Sequence, residues 1–235
     1  MIGTDFDTHE RSRWAGRAEA YERSFGRLCA YPAEELLDAA AVRTGQRVLD
    51  VGTGPGTVAA AALTRGAEVT AVDAEPSMLG AARRNAPGAQ VRQAVLPRLP
   101  FPAGGFDAAV ANFVLNHVSE TVTAAGVTTP ADLPRLATDR DFPRTEAGLA
   151  GLLAAAGLTD VRCVTVAWKH RTDPENWWAG PANGISTIGL LLERQPAAAR
   201  ERLRREYDRL SAPYRDTDGT LHLPTAALLA CGRAD

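Results

Sequence analysis

Three glycines alternating with single residues, Gly52-Thr53-Gly54-Pro55-Gly56, follow directly on the apolar run Val48-Leu49-Asp50-Val51, and the next apolar run, which begins at Glu68, ends in an acid, Asp73. A strand that stops in glycines and passes into an alanine-rich helical stretch, Pro55 to Thr64, is one βα unit. A second strand, Glu68 to Asp73, and a helix opening on proline, Pro76 to Asn85, form the next. Further strands are expected over Gln90 to Val95 and Phe106 to Asn112, and alternation at this spacing demands right-handed crossovers and a parallel sheet. Ligands of such sheets bind at the carboxyl edge, where these glycines and Asp73 stand. Glycine lets the backbone take positive φ and approach a ligand without a Cβ in the way. The helix behind it presents unpaired N–H groups to a carboxylate or other anion. Asp73 can accept two hydrogen bonds from a ribose diol.

Two ligand classes share that geometry. Dinucleotide sites use G-x-G-x-x-G, with the third glycine where helix and strand pack closely. Here the spacing is G-x-G-x-G, and position 57 is Thr57. The run Leu49-Asp-Val-Gly-Thr-Gly-Pro-Gly56 instead resembles the first motif of class I S-adenosylmethionine-dependent methyltransferases. Ala71-Val-Asp-Ala-Glu-Pro-Ser-Met-Leu79 is similar to that family's second motif, Leu99 to Asp107 to the approach to its fourth strand, and Asn112-Phe-Val-Leu-Asn-His-Val118 to the end of that strand. Thr145 to Arg162 resembles its later helix and strand. Among its members, the small-molecule enzymes similar to those of ubiquinone and menaquinone biosynthesis match best.

The resemblance implies a doubly wound, Rossmann-like α/β fold: a mostly parallel sheet with helices on both faces. Residues 1–42 would be an N-terminal helical cap, 43–170 the cofactor-binding core, 171–223 a helical insertion on the substrate side, and 224–235 the last strand. It also implies that the cofactor is S-adenosylmethionine, with S-adenosylhomocysteine as product. Gly52, Thr53, Gly54 and Gly56 would lie along its methionine part, Asp50 would order the loop and the ammonium side, and Asp73 would hold the ribose. Ala74 and Met78 would flank the adenine, Met78 serving equally well as core filler. Many relatives place an aspartate after the third strand to receive the adenine amino group. This chain has Val95 there, so adenine recognition would rest on backbone groups near Val95 and Leu96.

The remaining elements follow from periodicity. Trp14, Tyr21, Phe25 and Leu28 fall on one face of a helix over residues 9–30, and Pro32 opens a second helix, Ala33 to Val42. Thr145 to Ala156, Asn176 to Leu192 and Ala197 to Leu210 read as helices, and Val161 to Lys169 and Thr225 to Cys231 as strands. One part of the family pattern is missing. Val118 runs directly into Ser119, where a helix, a Pro-Gly-Gly turn and a fifth strand would stand, a deficit of roughly 25 to 35 residues judged from crossover and strand lengths. Either the chain lacks that segment, or two pieces of a longer chain are joined there. The second account is favoured, because a bare central strand edge invites aggregation.

Composition excludes several classes. Of 235 residues, 45% are hydrophobic and 23% charged, which argues for a packed globular chain, and a net charge of −2 gives no basic footprint for nucleic acid. Cys29, Cys163 and Cys231 form no C-x-x-C pair, so neither a metal site nor a disulfide framework is expected. The first 30 residues carry no apolar signal-like core, and no run approaches a membrane span of roughly 18 apolar residues. These features fit a cytoplasmic protein, monomer or homodimer, acting on a small molecule.

Methyl transfer from a sulfonium needs alignment and exclusion of water more than it needs a base. His117, after the fourth strand, is the candidate base where the acceptor must lose a proton, although it could simply cap or pack a helix. Tyr21 is the second candidate catalytic residue, as a cofactor or substrate contact. Trp14, Tyr21 and Phe25 in the cap, Trp177 and Trp178 in the insertion, and Asn116 and His222 are the candidate substrate residues. Asn112 is placed to touch cofactor or substrate. The aromatics serve equally as core, and His9 and His170 read as surface residues. The alternatives are a silent S-adenosylmethionine-binding relative and a nicotinamide-dependent oxidoreductase.

Overall fold

The computed structural model describes residues 13–114 and 142–234. Its centre is a four-stranded parallel sheet in the order β3-β2-β1-β4, formed by β1 (Arg47–Val51), β2 (Glu68–Asp73), β3 (Gln90–Gln93) and β4 (Ala108–Val110). Val48 and Leu49 of β1, and Val69, Ala71 and Val72 of β2, are all buried, because a parallel strand is covered on both faces. β1 pairs with β2 from Arg47↔Glu68 to Val51↔Val72, which brings the glycine loop and Asp73 to the same edge.

Helices flank this sheet. α3 (Ala33–Ala39), α4 (Thr57–Thr64) and α5 (Pro76–Asn85) follow the sequence closely, α5 to the residue. Ala59 and Ala62 are fully buried between Leu37, Val48, Val58 and Val69: short side chains let α4 lie close to the sheet. α4 starts at Thr57 rather than Pro55, since Gly56 stands at φ +90° as its cap. α5 begins where the Glu75 carboxylate accepts the Ser77 N–H at 3.0 Å.

The single helix expected over residues 9–30 is broken into α1 (Ala18–Arg23) and α2 (Phe25–Cys29), preceded by a turn at Gly16. The break lies at Ser24, whose hydroxyl donates to the Ala20 carbonyl at 2.7 Å. Gly26 permits it: a Cβ there would meet the Tyr21 carbonyl oxygen at 2.9 Å. The helix expected over Asn176 to Leu192 likewise divides into α7 (Pro174–Ala182) and α8 (Ser186–Glu193), with Gly184 at φ +76° between them. α6 (Glu146–Ala155) and α9 (Ala197–Ser211) complete the helices described.

β5 (Thr159–Thr172) and β6 (Leu221–Arg233) form their own antiparallel two-stranded sheet, registered from Arg162↔Cys231 to Thr172↔Leu221, and α7 to α9 fill the connection between them. Both strands run further than their alternation indicated. Among the described residues β4 pairs with β1 alone. The Val118–Ser119 junction lies outside the described residues. No helix among the described residues is long and apolar enough to cross a membrane.

Candidate active site

β1 ends by carrying Asp50 into the interior, where it is only 1% exposed. Its Oδ2 accepts the Thr53 hydroxyl at 2.6 Å, while Oδ1 has no hydrogen-bond partner among the described residues. Burial pushes the Asp50 carboxyl up to about 6, against the opposing pull of the Thr53 hydroxyl and the Ala59 amide. The loop is tied down by backbone bonds, Thr53 N–H to the Val72 carbonyl at 2.9 Å and Gly56 N–H to the Thr53 carbonyl at 2.9 Å. Two positions in it require glycine. At Gly52 (φ +66°) a Cβ would strike Val114 at 2.5 Å, and at Gly56 it would meet the Ala82 Cα of α5 at 2.9 Å.

Asp73 ends β2 and joins the same loop. Its Oδ2 accepts the Gly54 N–H at 2.9 Å and its Oδ1 the Glu75 N–H at 3.0 Å. Burial raises its pKa, and the Glu75, Gly54 and Ala74 amides oppose the rise.

α1 and α2 close the site from the other side. Tyr21 stands over Gly54, its Cε1 3.9 Å from where a Cβ would be, and its hydroxyl donates to the Cys29 sulfur. Burial raises both groups, Tyr21 well above its ordinary value and Cys29 to about 11. Asn112, just beyond β4, donates from Nδ2 to the Cys29 carbonyl at 2.7 Å. Asn85 on α5 bonds the Pro55 carbonyl at 2.9 Å and Glu22 at 2.7 Å, which couples loop and cap. The resulting pocket is lined by Tyr21, Gly26, Cys29, Asp50, Gly52, Thr53, Gly54, Pro55, Thr57, Val58 and Asn112.

Of the residues singled out in the sequence, the structure therefore brings Tyr21, Asp50, Gly52, Thr53, Gly54 and Asn112 into one cavity, with Asp73 bonded to its rim. Gly56 is the hinge into α4. Met78 is buried with Ala18 and Ala81 against Trp14 and Tyr21, and Trp14 stands edge-on to Tyr21 at 5.5 Å. The Ala74 carbonyl accepts the Gln93 side-chain amide at 2.9 Å, and Val95 and Leu96 are exposed beyond β3 at 40% and 48%. Phe25 packs on Trp177 with ring centroids 4.8 Å apart. Trp178 turns to Tyr207 at 5.1 Å and lies under Arg204, away from the glycine loop. His222 lies within β6, its Nε2 3.6 Å from Asp216, and does not line the pocket. His117, Asn116 and His9 lie outside the described residues.

One reading is corrected: His170 is fully buried. The sequence does not mark Cys29 and Gly26 as site residues, because the kink at Ser24, which aims them at the loop, is invisible to an uninterrupted helical period. Among the described residues no group of three or more His, Cys, Asp or Glu side chains could hold a metal.

The site fits an amino-acid-bearing nucleoside. The buried Asp50 carboxylate lines it with the charge an ammonium would need, and Asp73 keeps lone pairs beyond those its two amides occupy. Comparison with known proteins agrees. The family model described as a methyltransferase domain matches residues 48–130. An uncharacterized methyltransferase of Mycobacterium tuberculosis is 33% identical over 150 residues, 61% of this chain and 75% of that protein. The demethylmenaquinone methyltransferase of Beutenbergia cavernae is 37% identical over 86 residues, 37% of this chain and 36% of that enzyme. The solved S-adenosylmethionine dependent methyltransferase from Mesorhizobium loti is 31% identical across 33% of this chain and 37% of that one, with a TM-score of 0.31. With the motifs, the parallel sheet and a relative matched over three quarters of its length in agreement, the chain belongs to the S-adenosylmethionine-dependent methyltransferase family.

Proposed function

We propose that this chain moves the methyl group of S-adenosylmethionine onto a small organic acceptor, as an enzyme tailoring a secondary metabolite would. The observation that carries the reading is the convergence of Asp50, the Gly52-Thr53-Gly54 backbone, Asp73 and Tyr21 at the exits of β1 and β2. Gly52, Thr53 and Gly54 line the methionine part, Asp50 receives the ammonium, and Asp73 accepts from the ribose hydroxyls. Ala74, Met78, Val95 and Leu96 form the adenine side. Asn112 shapes the floor by fixing Cys29. A dinucleotide site would want a third glycine at position 57, where helix and strand pack closely, and Thr57 carries a side chain there.

When bound, the cofactor supplies an electrophilic methyl on a sulfonium whose departure leaves a neutral thioether. The protein's residues have the other tasks. The glycine loop and Asp73 fix the donor's direction, and the aromatic side chains of the cap and insertion, Trp14, Phe25 and Trp177, exclude water from the line of attack. A net charge of −2 supports a small acceptor over a nucleic acid.

Titration calorimetry tests the reading. S-adenosylhomocysteine is expected to bind at micromolar levels or tighter and NAD not at all, and transfer of a labelled methyl group into fractions of a bacterial extract should require intact Asp73. Binding of NAD in place of S-adenosylhomocysteine overturns it.

A further inference from the structure

Helix α5 holds both the glycine loop and the cap. Asn85, its last residue, donates from its side-chain nitrogen to the Pro55 carbonyl at 2.9 Å and to the Glu22 carboxylate of α1 at 2.7 Å. These two bonds use both hydrogens of that nitrogen. Glu75, which caps the start of α5, accepts the Gly16 N–H at 3.2 Å, just ahead of α1, and gives its own N–H to Asp73 at 3.0 Å. Each end of α5 therefore bonds a cofactor-binding element on one side and the cap on the other. Arg84 adds a looser ion pair to Glu22 at 3.6 Å.

The cap is fixed differently along its two edges. Towards α7 it is pressed hard: a Cβ on Gly180 would meet Phe25 Cε2 at 2.8 Å and Ser24 Oγ at 2.9 Å, and Arg17 bonds the Gly184 carbonyl and Glu193. Towards α5 the apolar seam is thin, with Ala18, Met78 and Ala81 buried together beside Trp14 and Tyr21. Bonds from the two ends of α5 supply the rest. An element packed along one edge and tied by a few polar bonds along the other opens at the tied edge.

The pocket requires such an opening. Its chemistry suits the cofactor but its space does not: the cavity beside Tyr21 has a volume of about 30 Å³, whereas pockets for small-molecule ligands start at about 300 Å³. Tyr21 Cε1 stands 3.9 Å from where a Gly54 Cβ would be, so its ring roofs the loop. Asp50, Gly52 and Thr53 beneath it are held by β1 and by the Thr53 bond to Val72 of β2, which leaves the cap as the part that yields.

We propose that the bond between Asn85 and Glu22 is the clasp of the cap: closed, it holds Tyr21 over Gly54, and its release admits and frees S-adenosylmethionine. Glu22 and Asn85 are thus positioning residues, acting through the cap and the loop. The identity of the guest rests on the methyl-transfer reading, and the movement of the cap does not.

Stopped-flow tryptophan fluorescence of the full chain, mixed with S-adenosylhomocysteine, tests the clasp. Glu22→Ala cuts it without touching the loop. The association and dissociation rate constants should rise together by about three- to tenfold, the worth of one partly exposed hydrogen bond, with Kd within about threefold of wild type. Faster association on loss of a contact marks a barrier removed, whereas damage to the pocket speeds dissociation alone. Glu22→Gln keeps the acceptor and should match wild type. Asn85→Ala cuts the clasp from the other side and also frees Pro55, so its faster association should come with weaker affinity. Unchanged or slower association in Glu22→Ala, or a Glu22→Gln variant as fast as Glu22→Ala, overturns the proposal. Amide hydrogen exchange reads the same motion without the cofactor. Thr53 and Gly54 should exchange about three- to tenfold faster in Glu22→Ala, by the same arithmetic, while Val48 and Val69 in the sheet keep their rates. If S-adenosylhomocysteine does not bind, the methyl-transfer reading fails and exchange decides the clasp. Normal binding with unmoved association and exchange sinks the clasp and spares methyl transfer.

Discussion

The Gly54 backbone N–H donates to Asp73 Oδ2 at 2.9 Å, so the turn after β1 and the acid at the end of β2 are one rigid unit. The carboxylate thereby holds the loop open by its own bond and keeps lone pairs for a second partner. Preorganisation of this kind spares a ligand the cost of ordering the loop on arrival.

Removing that carboxylate should therefore act twice. Asp73→Ala deletes the anchor of Gly54 and, on the proposed reading, both bonds to a ribose diol, and charged hydrogen bonds contribute about 1.5–3 kcal/mol each. The expected result is a loss of at least about 100-fold in affinity for S-adenosylhomocysteine by calorimetry. Asp73→Asn retains an acceptor for Gly54 and should lose only about tenfold. Equal losses in the two variants would show that charge, and not the tie to the loop, carries the effect.

Asp50 predicts a trade between stability and binding. Burial raises its folded-state pKa to about 6, above the unfolded value, so the folded chain binds the proton more tightly. Stability is then highest where Asp50 is protonated and falls as pH rises from about 4 to about 6, by about 3 kcal/mol in all for a shift of this size. Asp50→Asn removes that penalty while still accepting the Thr53 hydroxyl. The variant should melt higher than wild type at pH 7.5, match it near pH 4, and bind S-adenosylhomocysteine more weakly for want of a charge to meet the ammonium. Melting curves at the two pH values check the sign.

What was legible in the chain follows from where its side chains are dictated locally. β1, β2 and α5 stand out because strands buried on both faces leave unbroken apolar runs and because Pro76 marks a helix start. The glycine loop and Asp73 are legible for the same reason, each being tied to the end of such a strand. The breaks at Ser24 and Gly184 are not, since the apolar period continues through both and only packing of α2 against α7 decides them. His170 sits between Lys169 and Arg171, a neighbourhood that reads as solvent-facing. Its burial depends on Tyr31 and Trp177, which come from distant parts of the chain. Cys29 joins the pocket by the same long-range route.

Glycine replacements separate strain from collision. Gly56→Ala meets both, a left-handed φ of +90° and Ala82 Cα at 2.9 Å on α5, whereas Gly45→Ala at φ +78° meets nothing within 4 Å. Backbone strain alone costs about 1–2 kcal/mol. Forcing α4 and α5 apart adds about 1–3 kcal/mol. Denaturant midpoints should thus fall about twice as far for Gly56→Ala as for Gly45→Ala. Comparable losses would mean that α5 yields freely and that the close approach is not a constraint on the loop.

Tyr21 distinguishes a packing role from a contact role. Its ring is held by Trp14 and Met78 and its hydroxyl by the Cys29 sulfur, a weak acceptor, so Tyr21→Phe should keep the fold within about 1 kcal/mol of wild type. The same hydroxyl belongs to the wall over Gly54, on the side assigned to the methionine part of the cofactor. If it bonds that ligand, Tyr21→Phe loses about tenfold in S-adenosylhomocysteine affinity, the worth of one hydrogen bond of about 1.4 kcal/mol. Cys29→Ala, which removes the intramolecular partner and frees the hydroxyl, should leave that affinity unchanged or raise it. Parallel losses in the two variants would instead assign Tyr21 to the shape of the pocket, with no bond to the ligand.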